Sequence, residues 1–363
     1  MELACTKKLL DYIGVKAEKA SLQVDPLFGW TADLLVIDRR KTLVVVHAAS
    51  RCAFVLYGLT VKDLRKLPGS IEDGVRRMLE SEYVRADIIE RYLDDLGREV
   101  TFRANSSPKV VANCNRVCQR VKQVSDLLRP GEPFQKGILP WLHNEILPKG
   151  GYTYAHEMLI GQLQERYGED VRSCRAMEFE VSLQLHTPCK RRIVVPANLD
   201  LYQFHEVLQV CFGWHDSHLH QFVLEVDAFG RPVDIIQPLW DEMEDWLDVR
   251  VRNSMDVTLE EVFADRDGII YEYDFGDGWI HHVELCRVIE DHREPYPQCI
   301  FAIGDAPMED CGGPDGFAYV MKILNDPDHP EHERLVEWTQ QMWWRRSYLD
   351  PWIKVAHRRL PNW

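Results

Sequence analysis

The segment YEYDFGDGWIHHVEL, residues 271–285, constrains the fold more than any other stretch of the chain. Apolar and polar residues alternate with a period of two on both sides of Gly276-Asp277-Gly278, as they do in strands that bury one face. An Asp-Gly pair between two such runs is a strong hairpin signal, because it accepts the positive φ angles of a tight turn. The sequence therefore predicts a β-hairpin whose turn is formed by Asp277-Gly278.

The same alternation assigns side chains to the two faces of the hairpin. Tyr273 and Phe275 are predicted to share one face of the first strand, with Asp274 on the opposite face. In the second strand, Trp279 and His281 share a face. The prediction that the hairpin forms is separate from the question of whether its polar face carries chemistry.

Asp-Phe-Gly within this segment is also the tripeptide that carries the magnesium-binding aspartate of protein kinases. A kinase additionally needs a G-x-G-x-x-G loop and a His-Arg-Asp catalytic motif. Neither motif occurs in the chain. The sequence therefore excludes a protein kinase and leaves the tripeptide as part of a turn or of another kind of site.

Length and composition describe a globular protein with more than one domain. The 363 residues are 45% hydrophobic and 10% aromatic, which is enough for two or three domains with cores of their own. No run of eighteen apolar residues occurs and the N-terminus lacks a signal-peptide pattern, so we expect a soluble, cytoplasmic protein that does not contact membranes. The ten cysteines are not paired as C-x-x-C, which argues against a zinc ribbon and a dense disulfide framework.

The net charge of −15 is distributed unevenly along the chain. Residues 1–150 carry 24 Lys and Arg against 19 Asp and Glu, or +5, and the rest carries 19 against 39, or −20. An acidic surface repels a nucleic-acid backbone, so contact with nucleic acid is expected through the basic N-terminal half. Docking of the two halves on each other, or on neighbouring copies, is an equal alternative.

Charge and composition also suggest where the chain divides. Residues 1–129 show the strand and helix patterns of a basic α+β domain of unknown function. Residues 130–152 are rich in proline and glycine and are interpreted as a linker. Residues 153–363 are predicted as an acidic α+β domain, in which a helix lies across a mixed, β-grasp-like sheet and further helices follow.

Four motifs in the second half resemble the plasmid pRiA4b ORF-3-like family. They are GWHDSHLHQF, YEYDFGDGWIHHVEL, MEDCGGPDGF and LNDPDHPEHERLVEW. The resemblance covers residues 176–352. It implies a small α+β protein of bacteria or archaea, often encoded near mobile elements, and it brings no settled biochemical activity.

The first half resembles a separate bacterial domain of unknown function. This resemblance rests on TKKLL at residues 6–10, on the Arg- and Lys-rich strand pair IDRRKTLVVV, and partly on ANSSPKVVANCN. It implies no mechanism.

The hairpin supplies the first candidate site. Asp274, Asp277, Trp279 and His281 lie on it, and an aspartate and a histidine converging there could act as base and orienting group, or share a cation. The structural alternative is a hydrogen-bonded turn beside a packed tryptophan, and tight turns are commoner than sites.

A second candidate site is the stretch MEDCGGPDG, which contains Glu309, Asp310, Cys311, Gly312 and Gly313. The glycines can bring backbone N–H groups together as an anion-binding nest, and the carboxylates can bind a metal. The cysteine can act as a nucleophile if a histidine lies within reach. The structural alternative is a turn that leads into the helix that follows.

Histidines supply a third candidate. His218 and His220 are predicted on the same side of one strand, and with Asp274 or Glu309 they would form a two-histidine, one-carboxylate metal site. His281 is a further candidate ligand. Histidines on strands are also frequently structural, so a divalent metal is a candidate cofactor that the sequence does not decide.

Two classes of function follow from these candidates. In the first, the protein is a binding module whose acidic half binds a protein or peptide partner through a groove lined by Trp214, Tyr273 and Trp279. Further tryptophans of that half enlarge the aromatic supply; they are Trp240, Trp246, Trp343, Trp344 and Trp352. In the second class, it is a metal-dependent hydrolase acting on nucleic acid or nucleotide through the candidate carboxylates and a histidine. The sequence does not decide whether the protein is an enzyme.

Overall fold

In the computed structural model the chain forms two compact units, Met1–Ser173 and a second that begins at Cys174. The structure describes residues 1–16, 25–105, 107–148, 152–168, 170–238, 249–342 and 353–354. Both units combine helices with sheets, so the predicted two-domain α+β class is confirmed. No helix within these described ranges has both the length and the apolar character needed to cross a bilayer.

The first unit contains a five-stranded sheet and a two-stranded ribbon. Its strands are β1 (Glu2–Cys5), β2 (Trp30–Ile37), β3 (Arg40–His47), β4 (Ala53–Leu59), β5 (Thr101–Ala104), β6 (Ile146–Pro148) and β7 (Tyr152–Tyr154). Its helices are α1 (Lys7–Ile13), α2 (Leu67–Ser81), α3 (Ala86–Leu96), α4 (Pro108–Gln123), α5 (Leu139–His143) and α6 (Ala155–Tyr167). The sheet order is β4-β3-β2-β1-β5, with β1 parallel to both neighbours and the other pairs antiparallel.

Leu43 to Val46 of β3 form a continuous apolar run, which is typical of a strand that is buried on both faces. Leu43 and Val45 lie in the core that contains residues of α2, α3 and α6. Val44 and Val46 point the other way, into the core that contains residues of α4 and α5. The unit is therefore a sheet between two helical layers.

The predicted linker, residues 130–152, lies inside the first unit, and the division between the units falls at Ser173/Cys174 instead. Ile138, Leu139 and Leu142 of this segment are buried in the two cores. The backbone N–H of Gln135 donates to Val55 O at 3.1 Å, so the segment also covers the edge of β4. Proline and glycine correctly indicate turns here, but the apolar residues between them pack into the unit.

A largely buried ionic group holds this same segment to α2. The Glu82 carboxylate, just after α2, contacts His143 Nδ1 at 2.6 Å and Arg172 at 3.3 Å. Burial alone would raise the pKa of Glu82, but the hydrogen bond from His143 and the charges of His143, His156 and Arg172 lower it to about 2. The ionised carboxylate is thus the stable form.

We expect Glu82→Ala to lower the free energy of unfolding by about 3–5 kcal/mol, because the change removes the carboxylate from a buried, charged group of side chains. Because folding lowers the pKa of Glu82, its contribution is present above pH 4.5 and is lost as the pH falls towards about 2. Urea unfolding measures the free energy of unfolding of the wild type and of each variant. Glu80→Ala, at an exposed position of the same helix, should change it by less than about 0.5 kcal/mol. Equal effects of the two changes would contradict this role of Glu82.

The second unit is built on one large sheet. Its strands are β8 (Cys174–Leu183), β9 (Cys189–Pro196), β10 (His220–Val226), β11 (Pro232–Gln237), β12 (Arg250–Asn253), β13 (Gly268–Tyr273), β14 (Trp279–His292), β15 (Gln298–Ile303) and β16 (Ile353–Lys354). Its helices are α7 (Leu201–Phe212), α8 (Leu259–Val262), α9 (Gly313–Leu324) and α10 (His332–Gln341). The strand order is β12-β11-β10-β13-β14-β8-β9-β15-β16.

This sheet is mixed, and a helix packs on it. All pairs are antiparallel except β11 with β12. Phe204 of α7 contacts Phe179 of β8 at 5.3 Å and Phe222 of β10 at 6.0 Å between ring centroids, so the helix covers the central strands. The predicted mixed sheet, covering helix and C-terminal helices are confirmed, and the finer likeness to a β-grasp stays a prediction.

The hairpin has the predicted strands but a different turn. Tyr271 pairs with His281 and Tyr273 with Trp279, so five residues, Asp274 to Gly278, connect the strands. The backbone N–H of Gly278 donates to Asp274 O at 2.6 Å. The positive φ angles lie at Asp274 and Gly278, not at Asp277. Phe275 is 51% exposed and does not share the buried face of Tyr273.

We expect Gly278→Val to lower the free energy of unfolding of the second unit by roughly 1–2 kcal/mol, because a β-branched residue is strained at positive φ. A Cβ at this position would meet no atom within 4 Å, so the cost expected is that of the backbone angle. Gly278→Asn is the matched control, because asparagine tolerates this conformation. The thermal unfolding midpoints of the two variants test this prediction. Equal midpoints would rule out strain at the positive φ angle as the cause.

Candidate functional site

Three loops of the second unit meet at one end of its sheet. They are residues 213–219 between α7 and β10, residues 274–278 of the hairpin, and residues 306–312 before α9. His218 Nε2 lies 3.5 Å from Asp274 Oδ2 and 3.3 Å from Asp310 Oδ1. These three atoms, one from each loop, lie within 4.8 Å of one another and form the His218–Asp274–Asp310 cluster.

Asp274 is the most rigidly held member of the cluster. Its Oδ1 accepts hydrogen bonds from the N–H groups of Gly276 at 3.0 Å and Asp277 at 3.2 Å, and its own N–H donates to Leu219 O at 2.9 Å. The backbone has φ of +54°, a conformation that costs a non-glycine residue roughly 1–3 kcal/mol. The side chain is 9% exposed, and the bonds to Oδ1 leave Oδ2 directed at His218.

His218 and Asp310 complete the cluster. His218 Nε2 is buried, and neither carboxylate contact has the geometry of a hydrogen bond, so this nitrogen has no hydrogen-bond partner among the described residues. Asp310 also has a positive φ, of 57°, and its side chain is 65% exposed, at the open side of the cluster. One imidazole nitrogen and two carboxylate oxygens form a donor set that suits divalent transition metals.

His220, predicted to share a metal with His218, instead contacts α7. Its ring stacks on that of His205 with centroids 3.5 Å apart and an interplanar angle of 7°. Together with Asp216 these residues form a second group of potential ligands, the His205–Asp216–His220 cluster. A metal lies in the plane of an imidazole that binds it, and two parallel rings this far apart have no common in-plane position. The stacking therefore argues against one ion shared by both histidines.

Hydrogen bonds occupy both nitrogens of His205. Gln209 Nε2–H donates to the Tyr271 oxygen at 3.1 Å, so the Tyr271 O–H is directed to His205 Nδ1 at 2.7 Å. His205 Nε2–H then donates to Asp216 at 2.9 Å. Burial lowers the pKa of His205, and burial and the neighbouring His205 lower that of His220 to about 3. His205 is thus a neutral donor that holds Asp216, and not a free ligand.

Glu309, a predicted ligand, points away from the cluster and is 5% exposed. Its Oε1 accepts the Tyr273 O–H at 2.5 Å and the His215 N–H at 3.2 Å, and its Oε2 accepts the Ser217 hydroxyl at 3.4 Å. Burial and then the Glu309 carboxylate raise the pKa of Tyr273, which keeps the phenol a donor. Both carboxylate oxygens are therefore used in holding loops together.

Gly312 and Gly313 of the third loop allow its backbone to approach the hairpin closely. The Gly312 N–H donates to Asp277 Oδ2 at 3.1 Å, which ties the third loop to the hairpin. A Cβ on Gly313 would lie 2.6 Å from Asp277 O, so only glycine fits at this contact. Burial and the carboxylates of Asp277, Asp310 and Asp274 raise the pKa of the Cys311 thiol to about 12. That value argues against the thiolate nucleophile considered from the sequence.

Trp279 and His281 lie in the core beneath the site. Trp214 stacks on Tyr273 with centroids 4.9 Å apart, and the His281 ring meets the Trp214 ring edge-on at 5.2 Å. Trp214, Tyr273 and Trp279 are all buried, so they do not line the predicted binding groove. The other predicted contributors, Trp240, Trp246, Trp343, Trp344 and Trp352, lie outside the described residues. Burial lowers the pKa of His281 to about 3, which suits a neutral core histidine.

Several residues of this region were missed from the sequence. His205 lies beside the apolar stripe of α7, a position that by itself indicates core packing. Asp216 and Ser217 lie in the loop between α7 and β10, and polar residues of this kind are typical of turns. Their partners come from distant segments, so the sole local signal was the density of polar residues in GWHDSH.

The protein thus belongs to the class of two-domain α+β proteins. Its second domain carries a cluster of one imidazole and two carboxylates at one end of the sheet. The family model of the plasmid pRiA4b ORF-3-like protein matches residues 175–351, and that of the domain of unknown function DUF6933 matches residues 2–158. The uncharacterized protein y4hQ of Sinorhizobium fredii is 35% identical over 150 residues, which are 41% of this chain and 72% of that protein. The chain belongs to the plasmid pRiA4b ORF-3-like family, and the predicted resemblances of both halves are confirmed.

A solved structure is also similar to this chain. It is the crystal structure of the protein of unknown function MM3350 from Methanosarcina mazei Go1, which is 28% identical. The match covers 49% of this chain and 96% of that one, with a TM-score of 0.42. These descriptions name no activity, so the function is argued from the site.

We expect Tyr271→Phe to lower the free energy of unfolding of the second unit by about 1–3 kcal/mol, because it leaves His205 Nδ1 and Gln209 Nε2 without their buried partner. Tyr202→Phe, on α7 near the same histidines, is the matched control. No hydrogen bond of the Tyr202 hydroxyl is described, so its loss should change the free energy by less than about 0.5 kcal/mol. Urea unfolding compares them, and a neutral Tyr271→Phe would contradict the hydrogen-bonded chain.

Proposed function

We propose that the second unit binds one divalent metal ion at the His218–Asp274–Asp310 cluster and uses it to hydrolyse a phosphoester, as a metal-dependent hydrolase. The observation that carries the proposal is a meeting of three different loops: an imidazole nitrogen without a hydrogen-bond partner among the described residues lies beside two carboxylate oxygens. Three protein ligands with a further position open to water or substrate are characteristic of catalytic metal sites, whereas structural sites are closed by four.

Charge supports an ion at this position. Two carboxylates directed at a single imidazole carry more negative charge than the imidazole can balance, and a divalent cation would balance both. Asp274 could supply Oδ2 without reorganisation, because two amides already fix its other oxygen. Asp310, at the exposed side, could adjust as the ion or a substrate binds.

Three protein ligands would leave positions for water and for a substrate oxygen. A metal lowers the pKa of bound water and so generates hydroxide near neutral pH, while it polarises the phosphoryl group. With two carboxylates, the occupied site would be close to neutral and would accept an anionic ester. The −20 charge of residues 151–363 disfavours a long polyanion, so a small substrate such as a nucleotide is favoured over nucleic acid.

The competing function, a module that binds a protein or peptide, has lost its main support. The aromatic groove that motivated it would consist of residues that are buried in the core. A peptide partner for the acidic half and nucleic-acid binding by the basic half stay predictions, as do the link to mobile elements and the cytoplasmic location.

We expect EDTA-treated full-length protein to bind one Mn²⁺ per chain in a calorimetric titration. Asp274→Asn should abolish this binding with little loss of stability, because asparagine tolerates the positive φ and keeps an oxygen for the two amide donors. His218→Ala should also abolish it. His282→Ala, at an exposed position of β14, is the matched control and should bind as the wild type does.

Hydrolysis of bis(p-nitrophenyl) phosphate and of nucleotides, with and without Mn²⁺, then tests the reaction. The account predicts activity that requires the metal and is absent in Asp274→Asn. A wild-type protein that binds no Mn²⁺, or an Asp274→Asn variant that binds it equally well, would overturn the metal site. Binding without hydrolysis of these esters would overturn the assignment of the reaction.

A further inference from the structure

We infer that Ser217, Tyr273 and Glu309 form a positioning triad that sets the geometry of the proposed metal site, a role that rests on the proposed function. Each triad member immediately precedes one of the three cluster residues in the chain. Ser217 precedes His218, Tyr273 precedes Asp274, and Glu309 precedes Asp310. The three residues that directly precede the potential ligands in the chain are thus hydrogen-bonded to one another.

The triad is joined by direct hydrogen bonds. The Ser217 N–H donates to the Tyr273 oxygen at 3.0 Å, and the Tyr273 O–H donates to Glu309 Oε1 at 2.5 Å. The Ser217 hydroxyl closes the ring with Glu309 Oε2 at 3.4 Å. Tyr273 and Glu309 are buried, so the bond between them lies away from water and is worth more than an exposed one, while the two bonds of Ser217 are partly buried.

These bonds add to the other contacts that hold the loops, among them the hydrogen bonds of Trp214 to Pro307 O and of His205 to Asp216. Residues 213 and 215–217 are exposed, and the loop that contains them lacks regular structure. Tyr273 also meets the His218 ring edge-on, with centroids 5.8 Å apart, so it limits the orientation of that imidazole as well as its backbone. Without the triad, a bound metal would have to supply part of the ordering of the three loops, and its affinity would fall accordingly.

Two measurements on the full-length protein test the triad. Amide hydrogen exchange of the metal-free protein should become at least about tenfold faster in residues 213–219, 274–278 and 306–312 in Tyr273→Phe, with β8 and β9 unchanged. The Mn²⁺ affinity of this variant should fall about 10- to 100-fold, the range seen when groups supporting metal ligands are removed. Glu309→Ala should behave similarly, and Glu309→Gln, which keeps an acceptor for the phenol, should restore part of the affinity. Tyr202→Phe is the control.

The outcomes separate this inference from the proposed function. If the wild type binds Mn²⁺ but Tyr273→Phe and Glu309→Ala bind it equally well, the triad has no positioning role and the metal site stands. Unchanged exchange in the three loops would overturn the triad whatever the metal result. If exchange changes as expected but the wild type binds no Mn²⁺, the proposed function fails and the triad is structural only. Should Tyr273→Phe fail to fold, Glu309→Ala and Ser217→Ala provide the same comparison.

Discussion

The hydrogen bond between the Tyr273 phenol and the Glu309 carboxylate is the interaction on which the polar end of the second unit depends. A buried carboxylate is strongly unfavourable unless donors satisfy it, and Glu309 obtains donors from Tyr273, His215 and Ser217. Because His215 and Ser217 belong to the loop before β10 and Tyr273 ends β13 directly before the hairpin loop, satisfying one carboxylate brings three loops together. The residues that follow in each loop then meet as the His218–Asp274–Asp310 cluster.

The aromatic residues beneath the loops serve the same arrangement. Trp214 packs against Tyr273, and its indole N–H donates to Pro307 O at 2.9 Å, in the loop that carries Glu309. Tyrosine and tryptophan combine a large apolar body with one polar group, so they can fill a core and hold a loop at once. This dual use explains why residues that suggested an exposed binding groove are buried.

The sequence was most informative where a pattern is local. The period-2 alternation around residues 271–285 predicted both strands of the hairpin, because alternation reports directly on a buried face. The sequence pattern did not predict the turn correctly: it indicated a two-residue Asp-Gly turn, whereas the strands are connected by the five residues 274–278. The longer loop depends on the contacts of Asp274 with Leu219 and of Asp277 with Gly312, which no local pattern encodes. For the same reason, the apolar residues of segment 130–152 were not recognised as parts of two cores.

The site was predictable as a set of polar residues but not as an arrangement. Alternation placed His218 and His220 together, yet β10 begins only at His220, so His218 lies in a loop and turns to the carboxylates. Glu309 and Asp310 are neighbours in sequence and have different roles, because only Glu309 faces the buried donors. Such distinctions depend on tertiary contacts between segments that are far apart in the chain.

The most direct measurement is a crystal structure of the second unit within the full chain, grown with Mn²⁺ and recorded for anomalous scattering. The account predicts one strong anomalous peak within bonding distance of His218 Nε2, Asp274 Oδ2 and Asp310 Oδ1, with Glu309 still bonded to Tyr273. No peak at these atoms, or a peak at the His205–Asp216–His220 cluster instead, would contradict it.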